Sequence, residues 1–114
     1  MIESVPQFMQ GVFTFTGAGY DTPAPLGVRY TVPSDKRSQT IYFRAGNSTD
    51  AMVAVVLLRD GKPMRYFPVG ARAAVHVPLS VVEDLEPEQT LEAVLAAPAG
   101  ISGTLVLDIG LLEI

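Results

Sequence analysis

The sequence predicts an all-β fold, a single antiparallel β-sandwich domain over residues 1–114, jelly-roll or immunoglobulin-like, with about eight short strands. Three observations carry this reading. Nine prolines and ten glycines interrupt the chain at short intervals. The segments between them are rich in Val, Thr, Tyr and Phe, which suit a pleated, half-buried surface. Several segments alternate apolar and polar residues, the period-two mark of a strand with one face on a core and the other in water.

Residues 11–16 (GVFTFT) open the series. The following GAGYD, Gly17 to Asp21, has the glycines of a phosphate loop, but such a loop must open a helix. Pro23 and Pro25 follow instead, so it reads as a turn. Residues 26–32 place Leu26, Val28, Tyr30 and Val32 on one face. Residues 39–45 place Ile41, Phe43 and Ala45 on one face, with Tyr42 and Arg44 on the other.

Residues 52–59 and 62–69 flank Asp60-Gly61, a pair that tolerates the positive φ angles of a two-residue hairpin turn. Pairing Arg59 with Lys62 then sets Leu57 opposite Met64 and Val55 opposite Tyr66. Leu58 neighbours Pro63, Val56 neighbours Arg65, and Ala54 neighbours Phe67. A one-residue slip would exchange the faces. In residues 73–79, Val75, Val77 and Leu79 face one way and His76 the other. Residues 87–97 fit a helix opened by Pro87, or a strand with Leu91, Ala93 and Leu95 inward. The strand is preferred, since a Pro98, Gly100 and Gly103 turn leads into residues 102–109. There Leu105, Leu107, Ile109 and Leu111 share one parity, and Gly110 suggests a bulge that resets it.

Apolar residues make up 48% of the chain and charged ones 18%, more apolar than one sandwich core needs. Both faces of residues 52–59 are apolar, and a contiguous exposed apolar patch marks an interaction site. Val53, Val55, Val56, Leu58, Met64, Tyr66 and Phe67 are therefore the interface candidates. Charge at Val55 or Val56 should then disrupt association and leave a folded chain. The competing possibility is that the N-terminal segment, with Val5, Phe8 and Met9, covers that face.

The expected function is non-enzymatic: a structural or accessory subunit that forms a homo-oligomer or docks on a larger assembly, as a capsid-decorating or other virion protein does. The net charge of −4 and scattered basic residues argue against nucleic acid and anionic membranes as partners. With no cysteine and one histidine, no catalytic residue, metal ligand set or cofactor is assigned. His76 with Asp108 could serve as base and carboxylate, but nothing in the sequence brings them together. The acidic run Glu83 to Glu88 lacks the spacing of a calcium loop. Asn47-Ser48-Thr49 matches a glycosylation acceptor but reads as a loop. The chain begins without a signal-peptide pattern and holds no apolar run of transmembrane length, so a cytoplasmic or virion-associated location is expected.

The alternative is a small ligand-binding module, for carbohydrate above all. Arg29, Tyr42, Arg44, Arg65 and Tyr66 could set aromatic rings beside guanidinium groups, which stack on sugars and donate to hydroxyls.

Overall fold

Glycine and proline turns divide the described residues into nine strands, and none of these residues is helical. The computed structural model describes residues 4–81 and 83–114. The strands are β1 (Val5–Thr16), β2 (Gly19–Thr31), β3 (Ser38–Asn47), β4 (Val53–Arg59), β5 (Lys62–Val69), β6 (Ala74–Pro78), β7 (Asp84–Leu85), β8 (Thr90–Ala97) and β9 (Ser102–Glu113). They form two antiparallel sheets packed as a sandwich. One runs β1-β9-β3-β6, with β7 also paired to β3, and the other runs β2-β8-β4-β5. No helix is long and apolar enough to cross a membrane.

Period-two burial builds the core. Leu105, Leu107, Ile109 and Leu111 point inward from β9, meeting Val53, Val55 and Leu57 from β4 and Leu91, Ala93 and Leu95 from β8. Phe43 of β3 stacks on Phe67 of β5 with ring centroids 4.0 Å apart and planes 5° from parallel. The two sheets thus share an aromatic contact between β3 and β5.

Residues 87–97 take the preferred strand form, a turn followed by β8, with Leu91, Ala93, Leu95 and Ala97 filling the core between β2 and β4. Other sequence expectations are corrected. Gly110 does not reset the parity of β9, which keeps its inward series through Leu111 to Glu113. The irregularity lies across the ladder instead, between Thr40 and Tyr42 of β3. That bulge leaves Ile41 exposed rather than beside Phe43. The Asp60-Gly61 turn forms as expected, with φ of 51° and 81°. Arg59 pairs with Lys62 and Leu58 with Pro63, but Met64 is an extra residue, so Leu57 faces Arg65, Val56 faces Tyr66 and Val55 faces Phe67. A bulge of this kind shifts every later residue to the other face.

One polar contact ties the sheets at the end where β9 finishes. The Tyr30 hydroxyl of β2 donates to Glu113 Oε2 at 2.6 Å, and Gln7 Nε2 of β1 donates to the other carboxylate oxygen at 3.4 Å. Burial, and then this bond to Glu113, push the phenol from 10 up to about 12. A proton held more tightly in the folded chain gives stability that is whole below pH 10 and is lost as the pH rises toward 12. Melting temperature is accordingly expected to fall across that window. Tyr30→Phe should be less stable at neutral pH and show a shallower alkaline decline, and an unchanged decline in the variant would sink this assignment.

Candidate functional site

The outward face of the five-stranded sheet gathers the groups with the most chemistry. Its residues lie in rows set by strand register. Gln10, Asp108, Arg44 and His76 follow one another across β1, β9, β3 and β6, and the next row holds Phe8, Gly110, Tyr42 and Pro78. On the other side of the polar row come Val12, Val106, Gly46 and Ala74. The bulge after Thr40 turns Tyr42 and Arg44 outward while Phe43 and Ala45 face the core.

Tyr42 is held from three sides. Its ring lies on Gly110, where any β-carbon would collide with it. Its hydroxyl donates to both Asp108 carboxylate oxygens at 3.1 Å, and its ring stands perpendicular to that of His76 at 6.0 Å. Burial, followed by the Asp108 bond, raises the Tyr42 pKa above that of an ordinary phenol. Arg44 Nη1 lies 3.7 Å from Asp108, with the guanidinium more than half exposed. Gly46 has no atom within 4 Å of where its side chain would begin. The result is a shallow groove of about 460 Å³, lined by Arg44, Gly46, Ala74, His76, Val106 and Asp108. On β1, Val12, 69% exposed, stands beside Val106 of the groove wall, and Phe8, 54% exposed, lies in the Tyr42 row of the same face.

Of the five ligand candidates, Tyr42 and Arg44 alone share this face. Arg29 and Tyr66 point outward from the other sheet, Arg29 opposite Glu92 and Tyr66 opposite Val56. Arg65 is tied down, its guanidinium donating to the Val81 carbonyl at 3.1 Å and lying 5.7 Å from the Phe67 ring centroid. His76 and Asp108, unconnected in the sequence, come to either side of Arg44. Phe8, Gly46, Val106 and Gly110 were missed, since strand order alone brings them to the groove.

The interface candidates divide. Val53, Val55 and Phe67 are core residues and take no part in any outer surface, because their strand parity points them inward. Val56 faces outward yet is only 4% exposed, between Tyr66 and Val94. Leu58 and Met64 are half-buried, and Tyr66 is 65% exposed. The N-terminal segment does not cover this face. It belongs to β1, with Met9 in the core and Phe8 outward from the opposite sheet. Tyr20 reaches across β8 instead, donating to the Met52 carbonyl at 2.8 Å.

Other motifs take structural parts. Glu83 sits 3.6 Å from Arg59 and 4.0 Å from Arg65, while Asp84 accepts from Gln39 at 2.8 Å. Among the described residues no group of three or more acidic, histidine or cysteine side chains could hold a metal ion. Asn47 is buried at the end of β3, donating to the Ala51 and Gly70 carbonyls and accepting from Thr49. Its amide is spent inside the fold, which leaves none free to carry a glycan.

No protein-family model matches this chain, and no curated protein matches it. Solved structures do. The CBM36-1 domain of a multidomain xylanase from the hindgut metagenome of Trinervitermes trinervoides is 18% identical, covers 95% of this chain and 96% of its own, and gives a TM-score of 0.60. The carbohydrate-binding module CBM36 solved with calcium and xylotriose is 17% identical over 96% of this chain and 98% of its own, with a TM-score of 0.59. The T=1 particle of infectious bursal virus is 10% identical over 96% of this chain but only 31% of its own, with a TM-score of 0.54. At such identities the likeness is one of fold, the two-sheet jelly roll.

Proposed function

We propose that this chain is a carbohydrate-binding module whose ligand lies on the outward face of the five-stranded sheet. The observation that carries the proposal is the outward sheet face on which the groove of Arg44, His76 and Asp108 lies together with Tyr42, bonded to Asp108, and exposed Phe8 and Val12. Sugars present apolar C–H faces and rows of hydroxyls, so a site for them needs flat apolar surface beside fixed donors and acceptors. Arg44 supplies directional donors, the Asp108 carboxylate supplies acceptors, and Phe8 with Val12 supplies the apolar flank. Gly46 keeps the floor low enough for a ring to settle, and Gly110 makes room for the Tyr42 ring.

The fold-level likeness to modules of this class, one of them solved with xylotriose, supports the reading by analogy. In this reading the chain holds its ligand and does not transform it. Binding in this reading runs through the side chains of the sheet face, with no metal called on.

Affinity electrophoresis through xylan and a panel of other polysaccharides tests the proposal, with calorimetry on xylotriose and longer oligosaccharides. Retention on at least one polysaccharide is expected, unchanged by a chelator. Tyr42→Ala and Arg44→Ala should each weaken it by about tenfold, equivalent to ~1.4 kcal/mol. Gly110→Ala should weaken it similarly by displacing the Tyr42 ring. Free migration of the wild type through every gel, or full retention of Tyr42→Ala, would overturn the reading.

A further inference from the structure

We infer that β1 is a self-pairing sheet edge, through which two copies of this chain join antiparallel about a two-fold axis at Gln10. The inference shares Phe8 and Val12 with the sugar site but is carried by the backbone edge of β1 and does not require a ligand. A strand at the edge of a sheet offers unpaired N–H and C=O groups, and proteins blunt such edges with proline, charge, bulges or brevity. Every other edge of this sandwich carries those devices. β2 holds Pro23, Pro25, Asp21 and Arg29, and its register breaks twice. β5 holds Lys62, Pro63, Arg65 and Pro68 and contains the bulge at Met64. β6 is 5 residues long and ends at Pro78, and β7 is 2 residues long.

β1 differs on each count. It is 12 residues long, carries no charge, and keeps unbroken register with β9 from Val5–Glu113 to Thr16–Ser102. Pro6, next to its start, is its single blunting residue. Its outward side chains include Phe8 and Val12, both largely exposed.

The sequence of β1 also fits its own copy. With Gln10 opposite Gln10 of the second copy, Phe8 meets the second copy's Val12 and, by symmetry, Val12 meets its Phe8. The amides at the axis can donate and accept in turn. On the inward side Met9 falls opposite Gly11 and Gln7 opposite Phe13, so no bulky pair is forced together. A two-fold contact needs a self-complementary patch, and a strand without charge brings no like charges face to face. The same pairing of β5 with itself, centred on the strand, would set Arg65 next to its own copy across the axis. A second copy is therefore the occupant that the chemistry of β1 suits.

Size-exclusion chromatography with light scattering, over a range of concentrations and without sugar, tests this. Wild-type protein is expected at twice the single-chain mass of 12.2 kDa. Val12→Lys and Phe8→Glu, each at an exposed position, should run at half that mass with circular-dichroism spectra unchanged. Mixing these two variants should restore the double mass, because the new carboxylate on one chain then faces the new ammonium on the other. A single-chain mass for wild type at every concentration, a double mass that survives Val12→Lys, or a mixture that stays at single-chain mass would each overturn the inference.

Discussion

Val55→Asp is expected to leave no cooperatively folded protein at neutral pH. Val55 is fully buried on the inward face of β4, between Phe67 of β5 and Leu95 of β8. An ionised carboxylate there has no cation or donor to meet, and burying an unpaired charge costs several kcal/mol. The lost burial of the valine adds about 1.5–3 kcal/mol. Together these approach the whole stability of a small domain, about 5–15 kcal/mol. Circular dichroism and a thermal melt would read the outcome, with Val55→Ala as a control expected to stay folded after losing about 2 kcal/mol. A folded Val55→Asp monomer would return this residue to a subunit boundary, as the apolar pattern of β4 alone suggests.

Phe43→Ala should destabilise the sandwich by about 3–5 kcal/mol, the range for truncating a buried aromatic. Phe43 is completely buried, and its stack on Phe67 joins the two sheets rather than neighbouring strands of one. Truncation leaves a cavity that neither sheet can close without moving as a layer. Urea denaturation should show a lower midpoint with an unchanged slope, the sign of lost stability without a changed unfolded state. A loss below about 1 kcal/mol would mean that the sheets are held elsewhere, since cavities of this size cost several times that.

The strands were legible wherever burial on one face left a period-two trace, as in Val75 and Val77 of β6 or Leu105 to Leu111 of β9. The hairpin turn was legible because Asp60-Gly61 meets a local steric demand. Its register was not, since no local signal separates Met64 as a bulge from Met64 as a paired residue. Residues 5–10 and 19–25 escaped notice as strand because prolines and glycines punctuate them. Pro6, Pro23 and Pro25 lie in edge strands, where a missing N–H need not break a ladder. The candidate site was half legible. Tyr42 and Arg44 could be placed on one parity of β3, but their neighbours come from β1, β6 and β9, and strand order depends on pairings far apart in sequence. Arg65 and Tyr66 had the right chemistry on the wrong sheet for joining them.

The pairing of β1 with β9 also dictates when the fold can be completed. Val5 meets Glu113 at one end of that ladder and Thr16 meets Ser102 at the other, and β9 is the one strand beside β1 in its sheet. A chain emerging from the ribosome therefore exposes β1 with neither side satisfied until β9 has been made. High contact order of this kind slows folding and lengthens the life of unpaired strands. The neutral, aromatic β1 waits for β9 across the rest of the domain, so nascent chains of this protein meet their greatest aggregation hazard, and their greatest need of a chaperone, before β9 has been made.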